Sequence, residues 1–229
     1  MNSSEIVIAV DGPAGSGKSS VSKEVAKRLG IWYIDSGAIY RAVTWYILEK
    51  HGEVERGKSY VHDIEACTIE QHFTENGSAV TFVNGRDVSD QIRTEIIAKN
   101  IGIISDDPAI RNLVNRLLRE WRKRRTIIMD GRDIGTVVFP DAEIKIFLDA
   151  SVDVRARRRI LEYQEMGKTV DVDDISQQII QRDKEDRSRP VGRLYKADDA
   201  ITIDTSNMSR EEVVQKIIGI IRNRCQTIV

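Results

Sequence analysis

The segment from Gly12 to Ser19 constrains the fold of this chain more than any other. Its sequence, GPAGSGKS, matches the pattern G-x-x-x-x-G-K-[ST] and stands between a β-branched run, Ile6 to Val10, and apolar residues at helical spacing. In such an arrangement a strand leads into a loop whose backbone N–H groups wrap a phosphate at a helix N-terminus. The segment therefore predicts an α/β fold that binds a nucleoside triphosphate.

The side chains of this loop have separate predicted roles. Lys18 is expected to reach the β- and γ-phosphates of ATP, and Ser19 is expected to ligate Mg²⁺. The residues predicted to bind ATP are Gly12, Pro13, Ala14, Gly15, Ser16, Gly17, Lys18, Ser19 and Ser20. A protein that binds nucleotide without transferring phosphate remains an alternative, because a motif of this kind occurs in many functions.

Further apolar runs of strand length alternate with helical patterns along the chain. They are Ile31 to Ile34, Thr126 to Met129, Ile144 to Leu148 and Ile201 to Ile203. Together with the first run they predict a five-stranded parallel sheet flanked by helices. Ligands of such sheets bind outside the carboxyl ends of the strands. Acidic residues fall at those ends, namely Asp11, Asp35, Asp130 and Asp149.

The alternation stops between residues 57 and 100. Short β-prone runs, Thr68 to Thr74, Ala79 to Val83 and Arg86 to Ser89, are separated by Asn76-Gly77 and Asn84-Gly85, which favour tight turns. These features predict a small antiparallel β insert in a core formed by residues 1–56 and 101–229. The insert could cover a substrate or act as a spacer.

Composition narrows the possible functions. The chain has 35 Lys plus Arg against 36 Asp plus Glu, a formal net charge of −1, so no nucleic-acid or membrane partner is expected. Its two cysteines lie far apart, and its three histidines lack the spacing of metal ligands. Since no signal peptide and no run of about 18 apolar residues is present, we expect a cytoplasmic protein, and we expect it to be a monomer.

The second half of the chain contains a stripe of residues that one helical face would share. Its members, at steps of three and four, are Val172, Ile175, Ile179, Arg182, Asp186 and Arg189. The apolar start predicts packing on the core, and the charged end predicts a polar site. An exposed ladder of salt bridges is the alternative.

The segment Asp130-Gly131-Arg132-Asp133 directly follows a predicted strand. If that strand neighbours the first one, Arg132 lies beside the phosphate loop and meets a phosphate. Asp130 would then support the metal through water, as acidic strand ends do in phosphate-loop enzymes. A structural turn is the alternative.

Four segments in order resemble the signature segments of the bacterial cytidylate kinase family, within the P-loop nucleoside monophosphate kinases. They are Gly12 to Ser20, DSGAIYR from Asp35, DGRDIGTVVFP from Asp130, and Arg182 through Arg189. The resemblance implies transfer of the γ-phosphoryl group of ATP, with Mg²⁺, to CMP or dCMP, and it makes the insert the CMP-binding region. Another small-molecule kinase, of the UMP, AMP or shikimate type, and a nucleotide switch are the alternatives.

The same resemblance implies roles for individual residues. A helical lid at about residues 155–171 would carry arginines, with Arg155 and Arg158 on ATP. The residues implied to be catalytic are Lys18, Arg132, Arg158 and Arg159. Those implied to bind CMP are Ser36, Arg41, Arg132 and Arg189 at the phosphate, Arg182 and Asp186 at the ribose, and Arg111 and Asp133 at the cytosine. Gly102 stands where a serine near the base is expected, so discrimination should depend more on Arg111 and Asp133.

Overall fold

The computed structural model describes residues 5–73, 79–123, 125–165, 167 and 171–225. The strands are β1 Val7–Asp11, β2 Trp32–Asp35, β3 Ile69–Phe73, β4 Ala79–Val83, β5 Arg86–Asp87, β6 Ile127–Gly131, β7 Ile144–Asp149 and β8 Ile201–Asp204. The α-helices are α1 Lys18–Leu29, α2 Ser36–His51, α3 Val61–Glu65, α4 Glu95–Asp106, α5 Pro108–Glu120, α6 Val152–Glu165, α7 Val172–Ser188 and α8 Arg210–Arg224. Short 3₁₀ turns cover Gln91–Arg93 and Trp121–Lys123, and a π-helical turn covers Ile134–Val138.

Five of these strands form the predicted parallel sheet, in the order β2-β6-β1-β7-β8. Strand β6 therefore lies between β1 and β2, so the chain crosses over the sheet to return beside its first strand. The register sets Asp11 opposite Gly131 and Asp35 opposite Asp130. The acidic strand ends thus meet at one edge of the sheet, beside the start of α1, as the sequence predicts.

Helices cover both faces of this sheet. On one face α2 and α5 bury Val43, Val114 and Leu118 against Ile34 and other strand residues. On the opposite face α1 and α8 bury a second apolar cluster that includes Val25, Val214 and Ile217. The alternation of strand and helix has therefore produced a three-layer domain, and its two cores hold the carboxyl ends of the strands in place.

Local capping defines several helix ends. Asp107 accepts hydrogen bonds from the backbone N–H groups of Ala109 and Ile110 at 2.8 and 3.1 Å, which starts α5 at Pro108. Ser209 and Glu212 form the predicted capping box of α8. In the part of the chain that the structure describes, no helix is both long and apolar enough to cross a membrane.

The insert contains the predicted antiparallel sheet, ordered β3-β4-β5. Asn84 and Gly85 both have positive φ, 49° and 77°, as the tight hairpin between β4 and β5 requires. The other predicted turn, Asn76-Gly77, and the strand end at Thr74 lie outside the described residues. Gln71 of β3 joins the insert to the main sheet, because its side-chain amide donates to the Asp35 carbonyl and accepts from the Asp35 N–H, at 3.1 and 3.3 Å.

Packing divides the chain differently from the predicted boundaries at residues 57 and 100. Tyr60 and Ile64 belong to the main apolar core and are each 1% exposed. Helix α4 runs without a break through residue 100. The sheet part instead packs a smaller cluster, which includes Val83 and Val88, against α2. Ile69 of β3 packs against both clusters, so residues 68–90 lie against the main core as well as on α2.

Candidate active site

The phosphate loop lies between β1 and α1, where Gly12 makes its closest approach to the sheet. Gly12 has φ of 152°, and a Cβ atom there would lie 2.0 Å from the carbonyl oxygen of Leu148. No larger residue fits this position, because the loop passes directly over β7. The loop thereby directs its remaining backbone toward the carboxyl edge of the sheet, which is the predicted phosphate site.

Lys18 is buried within the curve of this loop. Its Nζ donates to the carbonyl of Pro13 at 2.7 Å and to Ser16 Oγ at 3.4 Å. Burial, followed by the nearby positive charge of Arg132, holds the pKa of Lys18 well below its usual range. A polyanion bound at the loop would relieve both effects, so the lysine is poised to bind phosphate.

Asp130 lies at the floor of the site, at the carboxyl end of β6. It accepts hydrogen bonds from Ser19 Oγ at 2.7 Å and from the Tyr33 hydroxyl at 2.8 Å. Burial raises the pKa of this carboxyl, with a further contribution from the negative charge of Asp35. A hydroxyl and a carboxylate at adjacent positions are oxygen ligands of the kind that Mg²⁺ prefers, so Ser19 and Asp130 fit a metal that accompanies ATP.

Asp11 connects the two halves of the site, a role that the sequence did not specify. Its carboxylate accepts from the backbone N–H groups of Ile134 and Gly135 at 2.8 and 2.7 Å and so holds the π-helical turn after β6. Burial raises the pKa of Asp11 to about 7. The only sequence signal was its position at a strand end, which does not identify its partners.

A cluster of arginines lies beyond the loop. Burial lowers the pKa of Arg41 on α2. The positive charges of the nearby Arg93, Arg132 and Arg159 lower it further. Among the described residues, Arg41 makes no hydrogen bond, and Asp35 is the carboxylate that offsets its charge. Guanidinium groups that repel one another in this way are stabilised by an anion, so the cluster fits a second phosphate.

A single carboxylate orders the neighbouring arginines. Asp186 is completely buried, and its Oδ2 accepts a hydrogen bond from Arg132 Nε at 2.7 Å. Its Oδ1 forms ion pairs with Arg189 Nη2 at 2.9 Å and with Arg182 Nε at 3.4 Å. Burial alone would raise the pKa of Asp186, but these guanidinium groups together lower it. Arg189 also donates to Asp106 at 2.8 Å. The charged end of the predicted stripe is therefore a buried network and not an exposed ladder.

The apolar end of that stripe differs from the prediction. Ile175 and Ile179 pack against Ala156 of α6 in a separate small cluster, not on the main core. Val172 is 56% exposed. The apolar residues of α7 pack against α6, and Val172, at the first residue of α7, lies outside that cluster.

Arg111 and Asp133, the predicted base-reading pair, contact each other directly. Arg111 Nη2 donates to Asp133 Oδ2 at 2.6 Å, and Nη1 donates to the carbonyl of Ser105 at 2.9 Å. The guanidinium lies 5.3 Å from the centre of the Tyr40 ring. Among the described residues, the buried Tyr40 hydroxyl and Arg111 Nε have no hydrogen-bond partner. Unsatisfied buried polar groups at this position are consistent with a polar ligand.

The backbone at Gly192 covers this pair. Its φ is 65°, and a Cβ atom there would lie 2.0 Å from Arg111 Nη2. On α4, by contrast, a Cβ atom at Gly102 would have no neighbour within 4 Å among the described residues. Ser105, one turn further along, donates to the carbonyl of Gly102 at 3.4 Å. The helix therefore leaves open space where a side chain could have stood.

Two predicted contact residues are engaged elsewhere. The Ser36 hydroxyl donates to the backbone carbonyl of Asp130 at 2.6 Å, so its proton is not directed at a ligand. Arg155, predicted to lie on a lid over ATP, is 3% exposed and makes four hydrogen bonds, to the carbonyls of Ala150 and Ala14 and to both oxygens of Asp183. It lies behind the phosphate loop, because α6 begins directly after β7.

The other two predicted lid arginines lie on α6. Arg158 donates to Oγ1 and the carbonyl of Thr205, at 3.1 and 2.8 Å. Arg159 is half exposed and pairs with Glu162 at 3.0 Å. Its positive charge helps to lower the pKa of Arg41. Helix α6 therefore presents Arg155 and Arg158 toward the loop and Arg159 toward the arginine cluster. Residues 166 and 168–170 of the predicted lid lie outside the described residues.

A cleft of about 290 Å³ opens beside the loop. Its lining includes Gly17, Arg158, Thr205, Met208 and Arg210. The last three come from the segment after β8, which sequence reasoning did not assign to any site. No local pattern marks them, because they reach the loop only through the position of β8 at the far edge of the sheet.

Comparison with known proteins identifies close relatives in sequence. The family model described as cytidylate kinase matches residues 8–223. Proteins named cytidylate kinase from Bacillus thuringiensis (strain Al Hakam) and Bacillus cereus (strain AH187) are each 45% identical over 216 residues, which covers 94% of this chain and 96% of each relative.

Solved structures share the fold at much lower sequence identity. An uncharacterized protein from Eubacterium ventriosum ATCC 27560 has a TM-score of 0.52 at 16% identity, covering 96% of this chain and 99% of its own. A gluconokinase from Sinorhizobium meliloti 1021 has a TM-score of 0.50 at 13% identity, covering 96% and 94%. These similarities establish the architecture of the sheet and its helices.

Proposed function

The chain belongs to the cytidylate kinase family, and from this premise we propose that it transfers the γ-phosphoryl group of ATP to CMP or dCMP, giving CDP or dCDP and ADP. One observation carries the assignment of this reaction to the site. Lys18 in the phosphate loop lies within electrostatic reach of Arg132, which belongs to the arginine cluster. Two phosphate sites side by side are what transfer between two nucleotides requires.

On the donor side, ATP would place its phosphates on the loop from Gly12 to Ser20 and its nucleoside in the adjoining cleft. Lys18 would bind the β- and γ-phosphates, and Arg158, which borders the cleft, would lie beside them. Ser19 would ligate Mg²⁺ directly, and Asp130, already bonded to Ser19 Oγ, would hold the metal through water. Charge neutralisation on the β- and γ-phosphates is what Mg²⁺ supplies when it is bound with ATP.

On the acceptor side, Arg41 and Arg132 would bind the phosphate of CMP. Support comes from the lowered pKa of Arg41 and its lack of a hydrogen bond among the described residues. Arg182 and Asp186 would face the ribose. Arg189, which the resemblance implies at the phosphate, is paired with Asp186 at 2.9 Å and would hold that carboxylate in place beside the phosphate. The hydroxyl of Ser36 would position β6 against α2, since its proton is already bonded to Asp130.

The base would lie at Arg111 and Asp133. Cytosine has acceptors at O2 and N3 and a donor at its amine, whereas uracil has a donor at N3 and an acceptor at O4. Arginine only donates and an ionised carboxylate only accepts, so this pair matches cytosine and opposes uracil. Burial raises the pKa of Asp133, but Arg111 opposes that rise and favours the carboxylate that this match needs.

The chemical step needs positioning and charge compensation more than covalent catalysis. An oxygen of the CMP phosphate attacks the γ-phosphorus, a new P–O bond forms, and the bond to the β,γ-bridging oxygen breaks to leave ADP. No general base is needed, because the attacking phosphate is already ionised. Lys18, Arg132 and the α6 arginines would reduce the repulsion between the two polyanions and bring them into line.

The acceptor is expected to be a free nucleotide, and the protein to act as a cytoplasmic monomer. The formal net charge of −1 supports a small ligand over nucleic acid. A nucleotide switch would need no second anion site, so the arginine cluster favours a kinase.

A coupled ADP-release assay with MgATP and a panel of acceptors tests the proposal. CMP and dCMP should stimulate ADP release strongly, and UMP, AMP and shikimate should do so weakly. ADP release at one rate with or without any acceptor would overturn it and favour a simple nucleotide hydrolase. A preference for UMP or AMP would place the chain among the alternative kinases.

A further inference from the structure

Arg155 is a buried link between the phosphate loop and α7. Its Nη1 donates to the carbonyl of Ala14 in the loop at 3.2 Å and to Asp183 Oδ1 at 3.0 Å. Its Nη2 donates to Asp183 Oδ2 at 2.6 Å. Gly15 packs against the Cβ of Arg155, since a Cβ atom added at Gly15 would lie only 3.2 Å from it. The side chain therefore supports the loop from behind, and Asp183 determines where the guanidinium lies.

Asp183 and Asp186 occupy the same helix, three residues apart. They are about 4.5 Å apart along the axis, since an α-helix rises about 1.5 Å per residue. Asp183 is paired with the arginine behind the loop, and Asp186 is paired with the arginines of the acceptor site. A helix is rigid over one turn, so a shift of Asp186 moves Asp183 as well.

We propose that Asp183 is a positioning residue that couples the two substrate sites through Arg155 and the loop carbonyl of Ala14. An acceptor that draws Arg132 and Arg182 toward itself changes the forces on Asp186, and α7 passes the displacement to Asp183. The bidentate pair with Arg155 then sets the position of the loop. Coupling of this kind is reciprocal, so the donor must change acceptor affinity by the same factor. This inference rests on the proposed function, because it takes ATP and CMP as the two ligands.

Asp183→Asn tests the link, because it keeps the shape of the side chain but removes the charge that holds Arg155. Glu185→Gln is the matched control, since it removes one carboxylate from the same helix at an exposed position bonded to Gln181 and not to the loop. Affinity for a non-hydrolysable ATP analogue is measured by calorimetry with and without saturating CMP, and CMP affinity is measured with and without the analogue. Thermal unfolding monitors the fold.

In the wild type and in Glu185→Gln we expect each ligand to strengthen the other by about fivefold or more, the lower end of typical coupling. In Asp183→Asn this factor should fall to one, while the affinity for CMP in the absence of the analogue should stay within about threefold of the wild-type value. A purely structural role would weaken each ligand but leave the factor unchanged. If Asp183→Asn does not fold, Arg155→Lys should give the same loss of coupling, because an ammonium cannot bind Asp183 bidentately while it also reaches Ala14.

The outcomes separate this inference from the assignment of the reaction. Failure of the wild type to bind the analogue or CMP would overturn the proposed function itself. Binding of both without coupling in the wild type, or coupling that persists in Asp183→Asn and Arg155→Lys, would overturn the role of Asp183 alone.

Discussion

Replacing Asp186 with asparagine should destabilise the protein in a way that an anion can reverse. Asp186 is the completely buried carboxylate on which three arginines converge, two of them at 2.7 and 2.9 Å. Asp186→Asn keeps the volume but removes the countercharge of Arg132 and Arg182, while Arg189 keeps its pair with Asp106. Removing one partner of a buried ion pair costs about 3–5 kcal/mol. For a chain of this size that loss lowers Tm by about 6–20 °C.

The assay is thermal and urea unfolding of Asp186→Asn with and without inorganic phosphate. Phosphate should raise the Tm of the variant more than that of the wild type, because the freed arginines bind it in place of the lost carboxylate. Asp141→Asn is the control, since Asp141 is an exposed partner of an arginine, Arg122, that also pairs with Glu143. Its stability and its response to phosphate should match the wild type.

Two results would refute this reasoning. If the free energy of unfolding of Asp186→Asn falls by less than about 1 kcal/mol, these ion pairs contribute no more to stability than exposed ion pairs do. An equal phosphate effect on both proteins would mean that the arginines do not form an anion site.

Three further predictions concern the reaction and the insert. Lys18→Ala should lower kcat by at least about a hundredfold, roughly 3 kcal/mol in the barrier, with an unchanged unfolding transition, and near-normal turnover would remove the phosphate loop from the mechanism. Asp133→Asn should narrow the ratio of kcat/KM between CMP and UMP, mainly by weakening CMP, and an unchanged ratio would mean that Asp133 does not contact the base. Replacing residues 68–90 with a short glycine linker should raise KM for CMP. ATP binding should stay intact, because Tyr60 and Ile64 remain in the core. An unchanged KM for CMP would mean that the insert is a spacer.

Much of the architecture could be predicted because its signals are local. The strand runs, the turn at Asn84-Gly85, the cap at Asp107 and the capping box of α8 each depend on residues within a few positions of one another. The placement of Asp130 beside the loop required one further assumption, that β6 neighbours β1. The structure has that pairing, and Ser19 then meets Asp130.

The remaining features depend on contacts between distant parts of the chain. The resemblance implies that Arg155 belongs to a lid over ATP, whereas in the structure it bonds to a carboxylate 28 positions away, a contact that no local pattern shows. The bonds from Asp11 to the turn after β6 span 123 and 124 positions, and no periodicity reports them. The hydroxyl of Ser36 fits a ligand contact as well as a backbone contact until the position of β6 is known. Roles of this kind follow from the order of the strands, which sequence patterns constrain only weakly.

The contact between Gln71 and Asp35 has a consequence for solubility. Strand β2 is an edge of the parallel sheet, and an edge strand exposes backbone groups that can pair with another molecule. The side-chain amide of Gln71 forms with Asp35 the two hydrogen bonds that a neighbouring strand would otherwise make, and it is 2% exposed. At this point the insert occupies the edge that intermolecular β-pairing would use. Removing that amide would therefore favour aggregation during expression and storage.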